Sequence, residues 1–260
     1  HQSADTLRVR AIPGRTLALA GDNQAGLQDL QQAVNMAAGL CKASPNDTSC
    51  LEHWALSTSQ LARLLRANRD LPAARALTAR AIGIFAGLTQ KDPSNGDWQS
   101  EYAEVLTEQA AEFSAAGQLD RARAQVQTAL KILSPLLAKQ PQERALVLAT
   151  VSATLLLAEA THDPQISARL RNSALKTIDA QSADRQDPRL LALKVAALLG
   201  LGRKGETDGA IARLQACGYR DSAFVDKMRR AAINYLAHPT VKQRFGSLVI
   251  TKRSDGALRH

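Results

Sequence analysis

Apolar residues recur three and four places apart through most of the chain, in long stretches separated by short polar breaks. Leu27, Leu30, Val34, Ala37 and Cys41 make one such stripe within residues 24–43, and Leu56, Leu61, Ala62 and Leu65 another within 51–67. Ala74, Leu77, Ala81, Ile84, Phe85 and Leu88 follow within 72–90, then Tyr102, Leu106, Ala110 and Phe113 within 98–116, then Ala122, Val126, Ala129, Leu133 and Leu137 within 119–138. This spacing puts each set on one face of a helix and predicts an all-α chain. The breaks consist of turn formers: Ser44-Pro45-Asn46-Asp47, Asn68-Arg69-Asp70, the run from Lys91 to Asp97, Gly117 and Gln140-Pro141. Further on, residues 143–160, 165–179, 188–201 and 206–217 read as helices. Asp221 or Ser222 is expected to N-cap a last amphipathic helix carrying Phe224, Val225, Met228, Ala232, Ile233 and Leu236.

The pattern is periodic. Pro45, Pro93 and Pro141 stand 48 residues apart, and so do Gly26, Ala74 and Ala122, and Ala33, Ala81 and Ala129. A fixed step of this size marks one supersecondary unit stacked repeatedly. The expected fold is an α-solenoid, a right-handed superhelix of antiparallel helix pairs with a C-terminal capping helix. Residues 1–238 form one repeat domain, with units at about 7–45, 51–93, 98–141, 143–181 and 188–218, a cap at 221–237 and a basic tail over 239–260. A stacked array offers a surface for holding partners rather than a pocket built around one reaction.

Composition sharpens this. Aromatics are only 3% of the 260 residues, so the core rests on Ala and Leu, which suits close helix packing. The formal net charge of +9 is compatible with nucleic acid, an anionic membrane or an acidic protein, but no run of five like charges occurs. No stretch of eighteen apolar residues occurs, so no membrane span is expected, and no signal peptide is visible. The start at His1 rather than Met suggests a piece of a longer protein or a processed form, with any anchor or catalytic domain upstream. Cys41 falls in the last turn of one expected helix and Cys50 near the start of the next. The intervening turn can bring them within disulfide range, which an extracytoplasmic, periplasmic setting would permit. Two small buried thiols in a cytoplasmic protein are the alternative. Cys217 reads as a core thiol.

Small, aromatic and glycine positions carry a family resemblance. Ala110, Phe113, Gly117, Leu119, Ala122, Val126 and Ala129 resemble the tetratricopeptide repeat (TPR). Ala62, Leu65, Arg69, Leu71, Ala74, Thr78 and Ala81 repeat the motif, as do Gly14, Leu17, Gly21, Asn23, Gly26, Leu30 and Ala33. The 48-residue step and Asp92-Pro93-Ser94-Asn95-Gly96-Asp97-Trp98 resemble a long bacterial subtype with a D-P-x-N-x-x-W linker. The resemblance implies an array attached to a Ser/Thr protein kinase, a winged-helix regulator or a signalling NTPase. Pro13, within the first unit's inner helix, and the missing turn glycine of the fourth unit depart from the pattern.

No phosphate loop, nucleophile elbow or kinase signature is present, and the histidines show no metal spacing, so no catalytic residue, cofactor or metal is expected. Glu101, Glu104 and Glu108 share a helix face and read as a solvated acidic stripe. In TPR geometry the first helix of each unit lines a concave groove, which here would present Arg15, Arg63, Arg66, Glu104, Thr107, Ala111 and Ser114. Arg63 and Arg66, three residues apart, can clamp a carboxylate, so an acidic peptide or C-terminus is a candidate ligand. Nucleic acid is disfavoured by the scarcity of stacking aromatics. The function expected is a non-catalytic interaction or sensor module of a larger bacterial signalling protein. The alternatives are a cytoplasmic regulatory domain of a Ser/Thr kinase and a self-associating scaffold.

Overall fold

The computed structural model describes residues 23–181 and 187–237, and among them it contains ten α-helices and no strand. The helices are α1 (Asn23–Ala43), α2 (Thr48–Ala67), α3 (Leu71–Lys91), α4 (Gly96–Ala115), α5 (Leu119–Lys139), α6 (Arg144–Glu159), α7 (Pro164–Asp179), α8 (Pro188–Gly200), α9 (Asp208–Ala216) and α10 (Ser222–Arg230). A 3₁₀ turn at Lys204–Glu206 precedes α9, and another at Tyr235–Ala237 follows α10. The first unit's inner helix, the tail over 239–260 and Arg15 lie outside the described residues.

Helix starts and stops recur on one step. α2, α4 and α6 begin at Thr48, Gly96 and Arg144, α3 and α5 at Leu71 and Leu119, and α1, α3 and α5 end at Ala43, Lys91 and Lys139, each 48 residues after the last. Local chemistry accounts for the regularity. Asp47, Asn95 and Glu143, again 48 apart, sit in extended conformation before each inner helix and accept hydrogen bonds from the backbone N–H groups of Ser49 and Cys50, Trp98 and Ala145. The turns from α2 to α3 and from α4 to α5 are each closed by one residue in the left-handed region, Arg69 at φ 68° and Gly117 at φ 72°. The flanking amides complete the motif: Asp70 N donates to Leu65 O at 2.9 Å and Gln118 N to Phe113 O at 2.8 Å.

Consecutive helices pack pairwise, and α2, α4, α6 and α8 also touch one another in series. They form the inner layer, while α3, α5 and α7 lean on them from outside. The core runs between the layers. Ala74, Ala81 and Phe85 of α3 and Ala122, Val126, Ala129 and Leu133 of α5 are fully buried, and the alanines allow the helix axes to approach. α6, α7 and α8 enclose an aliphatic cluster of Val147, Val151, Leu155, Leu175, Ile178 and Leu198. By length and hydropathy α3 could cross a membrane (mean hydropathy 1.2), but its stripe of buried residues makes it a packed helix of the array.

The last helix is shorter than the pattern suggests. It ends at Arg230, where Ala232 adopts φ 53° and Ile233 N bonds back to Met228 O. Ile233 and Leu236 therefore lie beyond the helix. Tyr235 folds back instead, its ring 5.0 Å from Phe224 edge-to-face and its hydroxyl donating to Tyr219 O at 2.6 Å. This aromatic closure ties the segment after α10 to Phe224 and Tyr219, which another helical turn would not do.

Candidate functional site

The inner helices bring Arg63 and Arg66 of α2 against α4. Their guanidiniums hold a carboxylate, but it is the chain's own. Arg66 Nη2 donates to Glu108 Oε2 at 2.5 Å. Arg63 Nε stands 2.8 Å from Glu108 Oε1, at ion-pair distance but out of hydrogen-bond alignment, and Arg63 Nη2 lies 3.8 Å from Glu104 Oε2. The expectation that Glu104 and Glu108 belong to a solvated stripe is thus corrected. Glu108 keeps only 16% of its side chain exposed, because stacking places the second inner helix one ridge away from the arginines of the first.

Burial, the largest influence on Glu108, would push its carboxyl up. The Arg63 and Arg66 charges outweigh it and hold the group below the ordinary glutamate range. Arg63 is raised in turn, first by Glu108. One turn further, Glu112 is buried and accepts a hydrogen bond from Thr78 Oγ1 at 2.5 Å. There burial dominates without an ion pair to offset it, and the carboxyl is raised. No motif pointed to Glu112. Its signal is the repeat register, which sets an acid of α4 opposite Thr78 of α3.

The other groove residues divide. Glu104 is partly exposed, and Ala111 and Ser114 are half-buried. Thr107 is not available to a ligand, because it is buried and donates its hydroxyl to Ala103 O. Arg63 remains 42% exposed and is more open than Glu104 or Arg66.

Cys41 and Cys50 are joined by a disulfide with their Cα atoms 5.7 Å apart. The equivalent positions one and two units on are Thr89 with Trp98 and Leu137 with Leu146; Trp98 and the two leucines pack into apolar clusters where the first joint is closed by sulfur. Cys217 is exposed and free, not a core thiol. Among the described residues no group of three or more His, Cys, Asp or Glu side chains converges as a metal site. A cleft of about 500 Å³ opens beside α7 and α8, but Lys194 pairs there with Asp179 and Arg203 with Glu206.

No family model matches the chain, and no curated protein matches it. Solved structures do. A putative kinesin light chain of Podosopora anserina with nearly identical TPR-like repeats, in a singly substituted form, is 18% identical at a TM-score of 0.50, covering 88% of this chain and 99% of that one. Another structure of that protein, without the substitution, scores 0.47 at 18% identity over 88% and 100%. BtubC (BKLC) from P. vanneervenii scores 0.45 at 13% identity over 100% and 97%. The fold is that of a TPR-like α-solenoid. Its class is a helical-repeat protein.

Proposed function

We propose that this chain is the interaction and sensor module of a larger bacterial signalling protein, and that its concave face holds an extended segment of a partner, with Arg63 as the anchor for one of its carboxylates. The observation that carries this is the state of Arg63. Its guanidinium is oriented by Glu108 and Glu104, yet nearly half of the side chain faces solvent. A partner carboxylate would meet a cation already ordered for bidentate contact, so little side-chain entropy remains to be lost. Further along α4 the inner layer contributes small, half-buried groups, Ala111 and Ser114, which leave room for a backbone.

The signalling context rests on the linker resemblance around Asp92–Trp98, and an extracytoplasmic location rests on the Cys41–Cys50 bond, since such bonds persist in oxidising compartments. Selection of a random peptide library on the protein tests the groove. Selected peptides should share one Asp or Glu and should lose at least tenfold in affinity for Arg63→Ala. Peptides that ignore Arg63 would overturn the reading. Alkylation of protein taken from cells without reductant tests the compartment: Cys41 and Cys50 should stay unmodified until reduced, and free reaction would place the array in the cytoplasm.

A further inference from the structure

The excess positive charge of the chain is not in the groove. Inner helix α4 carries Asp97, Glu101, Glu104, Glu108 and Glu112 and no basic residue. Outer helix α3 carries Arg75, Arg80 and Lys91 and no acid, while α5 and α7 each set several basic residues against a single Asp. In this part of the array charge is therefore segregated by layer, acidic on α4 and basic outside.

Repeat register aligns the outer charges. Buried Ala74, Ala122 and Ser167 occupy equivalent positions on α3, α5 and α7, as do buried Ala81, Ala129 and Ala174. Arg75 and Arg123 each follow the first set by one residue and Arg169 by two. Lys131 and Lys176 each follow the second set by two, about 200° around the helix from the core. The result is one row of cations across three successive outer helices and a second, about 11–12 Å further along the axes, on α5 and α7 alone. Arg75, Lys131, Arg169 and Lys176 are exposed and have no carboxylate within ion-pair distance among the described residues, while Arg123 is held by Asp120. Arg75, Lys131 and Arg169 lie in the body of their helices, where a helix C-terminal dipole does not account for them, while Lys176 stands in the last turn of α7.

We propose that this outer face docks on an anionic phospholipid surface. Charge complementarity supplies the attraction, and two apolar features favour a bilayer over a nucleic acid. Ile166, on the α7 face that also bears Arg169 one turn on, is 40% exposed, one of two exposed large apolar side chains among the described residues. The most apolar window of α3, a helix that carries Arg75 and Arg80, is only 28% buried. Phe85, the single aromatic residue of α3, α5 and α7, is fully buried and offers no base a stacking partner. A broad wall of spaced cations with Ile166 exposed among them matches headgroups over acyl chains.

The test is sedimentation of the full chain with vesicles of phosphatidylcholine alone and with added phosphatidylglycerol, across a salt series. Binding should require phosphatidylglycerol and weaken with salt. It should fall at least tenfold in R75E/K131E/R169E/K176E, whose tail is unchanged, since each charge near such a surface is worth about fivefold. A milder set with alanine at the same four positions, folded by circular dichroism, should show a smaller loss in the same direction. No binding, or binding that both variants retain, overturns the proposal. Tighter binding of a DNA duplex than of vesicles, lost in the same variants, also overturns it and assigns the face to nucleic acid. Arg63→Ala should leave vesicle binding unchanged, so the groove reading and this one fail separately.

Discussion

The joint between α2 and α4 and the joint between α6 and α8 occupy equivalent places in the stack, yet they differ in what fills their middle. The first sets Arg63 and Arg66 against Glu104 and Glu108, with Glu112 buried alongside. The second closes over Val147, Val151, Leu155 and Leu198, with its ion pairs, Arg144 and Arg189 on buried Asp187, confined to the start of α8. Ion pairing of partly buried groups regains little beyond the cost of desolvating them, whereas aliphatic burial stabilises outright. The later units therefore hold the array together, while the earlier ones keep polar groups where a partner can reach them. The later units also depart from the 48-residue step: α6 and α7 are each 16 residues, against 20 or 21 for α2 to α5. A dense aliphatic joint tolerates shorter helices.

Removing Leu198 is the largest way to break this contrast. Leu198→Ala should cost about 3 kcal/mol, seen as a lower urea midpoint with an unchanged m-value. A cost under about 1 kcal/mol would mean the later joint is not the stabilising one. At the earlier joint, Glu108→Gln should cost only about 1 kcal/mol at neutral pH, between the values for exposed and fully buried pairs.

Titration sharpens the comparison within α4. Glu108 is depressed in the folded state, so its contribution is present above the ordinary glutamate value and lost as pH falls through the folded one. The cost of Glu108→Gln should therefore vanish in acid. Glu112 is raised, so its favourable contribution is complete below the ordinary value and lost as pH rises through the folded one. Glu112→Gln should stabilise the protein at neutral pH and lose that effect in acid. Thermal melts of both variants from acid to neutral pH check the two signs, and parallel profiles would refute the distinction.

The smallest effect compares the two turns. Arg69 and Gly117 occupy equivalent positions at φ 68° and φ 72°, and only glycine adopts that conformation without a Cβ penalty. Arg69→Gly should gain about 1 kcal/mol, and Gly117→Ala should lose about as much. Equal and opposite shifts in melting temperature are the expected signature.

Much of the fold was legible in the chain. Apolar periodicity, N-cap residues and the proline step located the helices to within three residues at most ends of α1 through α8, because these signals act over one turn. The closure after Arg230 was not legible, since Tyr235 is fixed by Phe224 and Tyr219, which lie on other segments. The groove divided in the same way. The spacing of Arg63 and Arg66 announced a carboxylate clamp, but not that Glu108 of the same chain would fill it.

By itself, then, the sequence determined the repeat, the helices and their caps, the alanines that let them approach and the cysteine pair at the first joint. Each depends on neighbours within a turn or on a step that recurs along the chain. Tertiary structure alone decided which charges meet across α2 and α4, why Glu108 and Glu112 titrate in opposite directions, and that unpaired cations line up on the outer layer. Those outcomes depend on distances between residues more than thirty positions apart, set by how one helix pair stacks on the next.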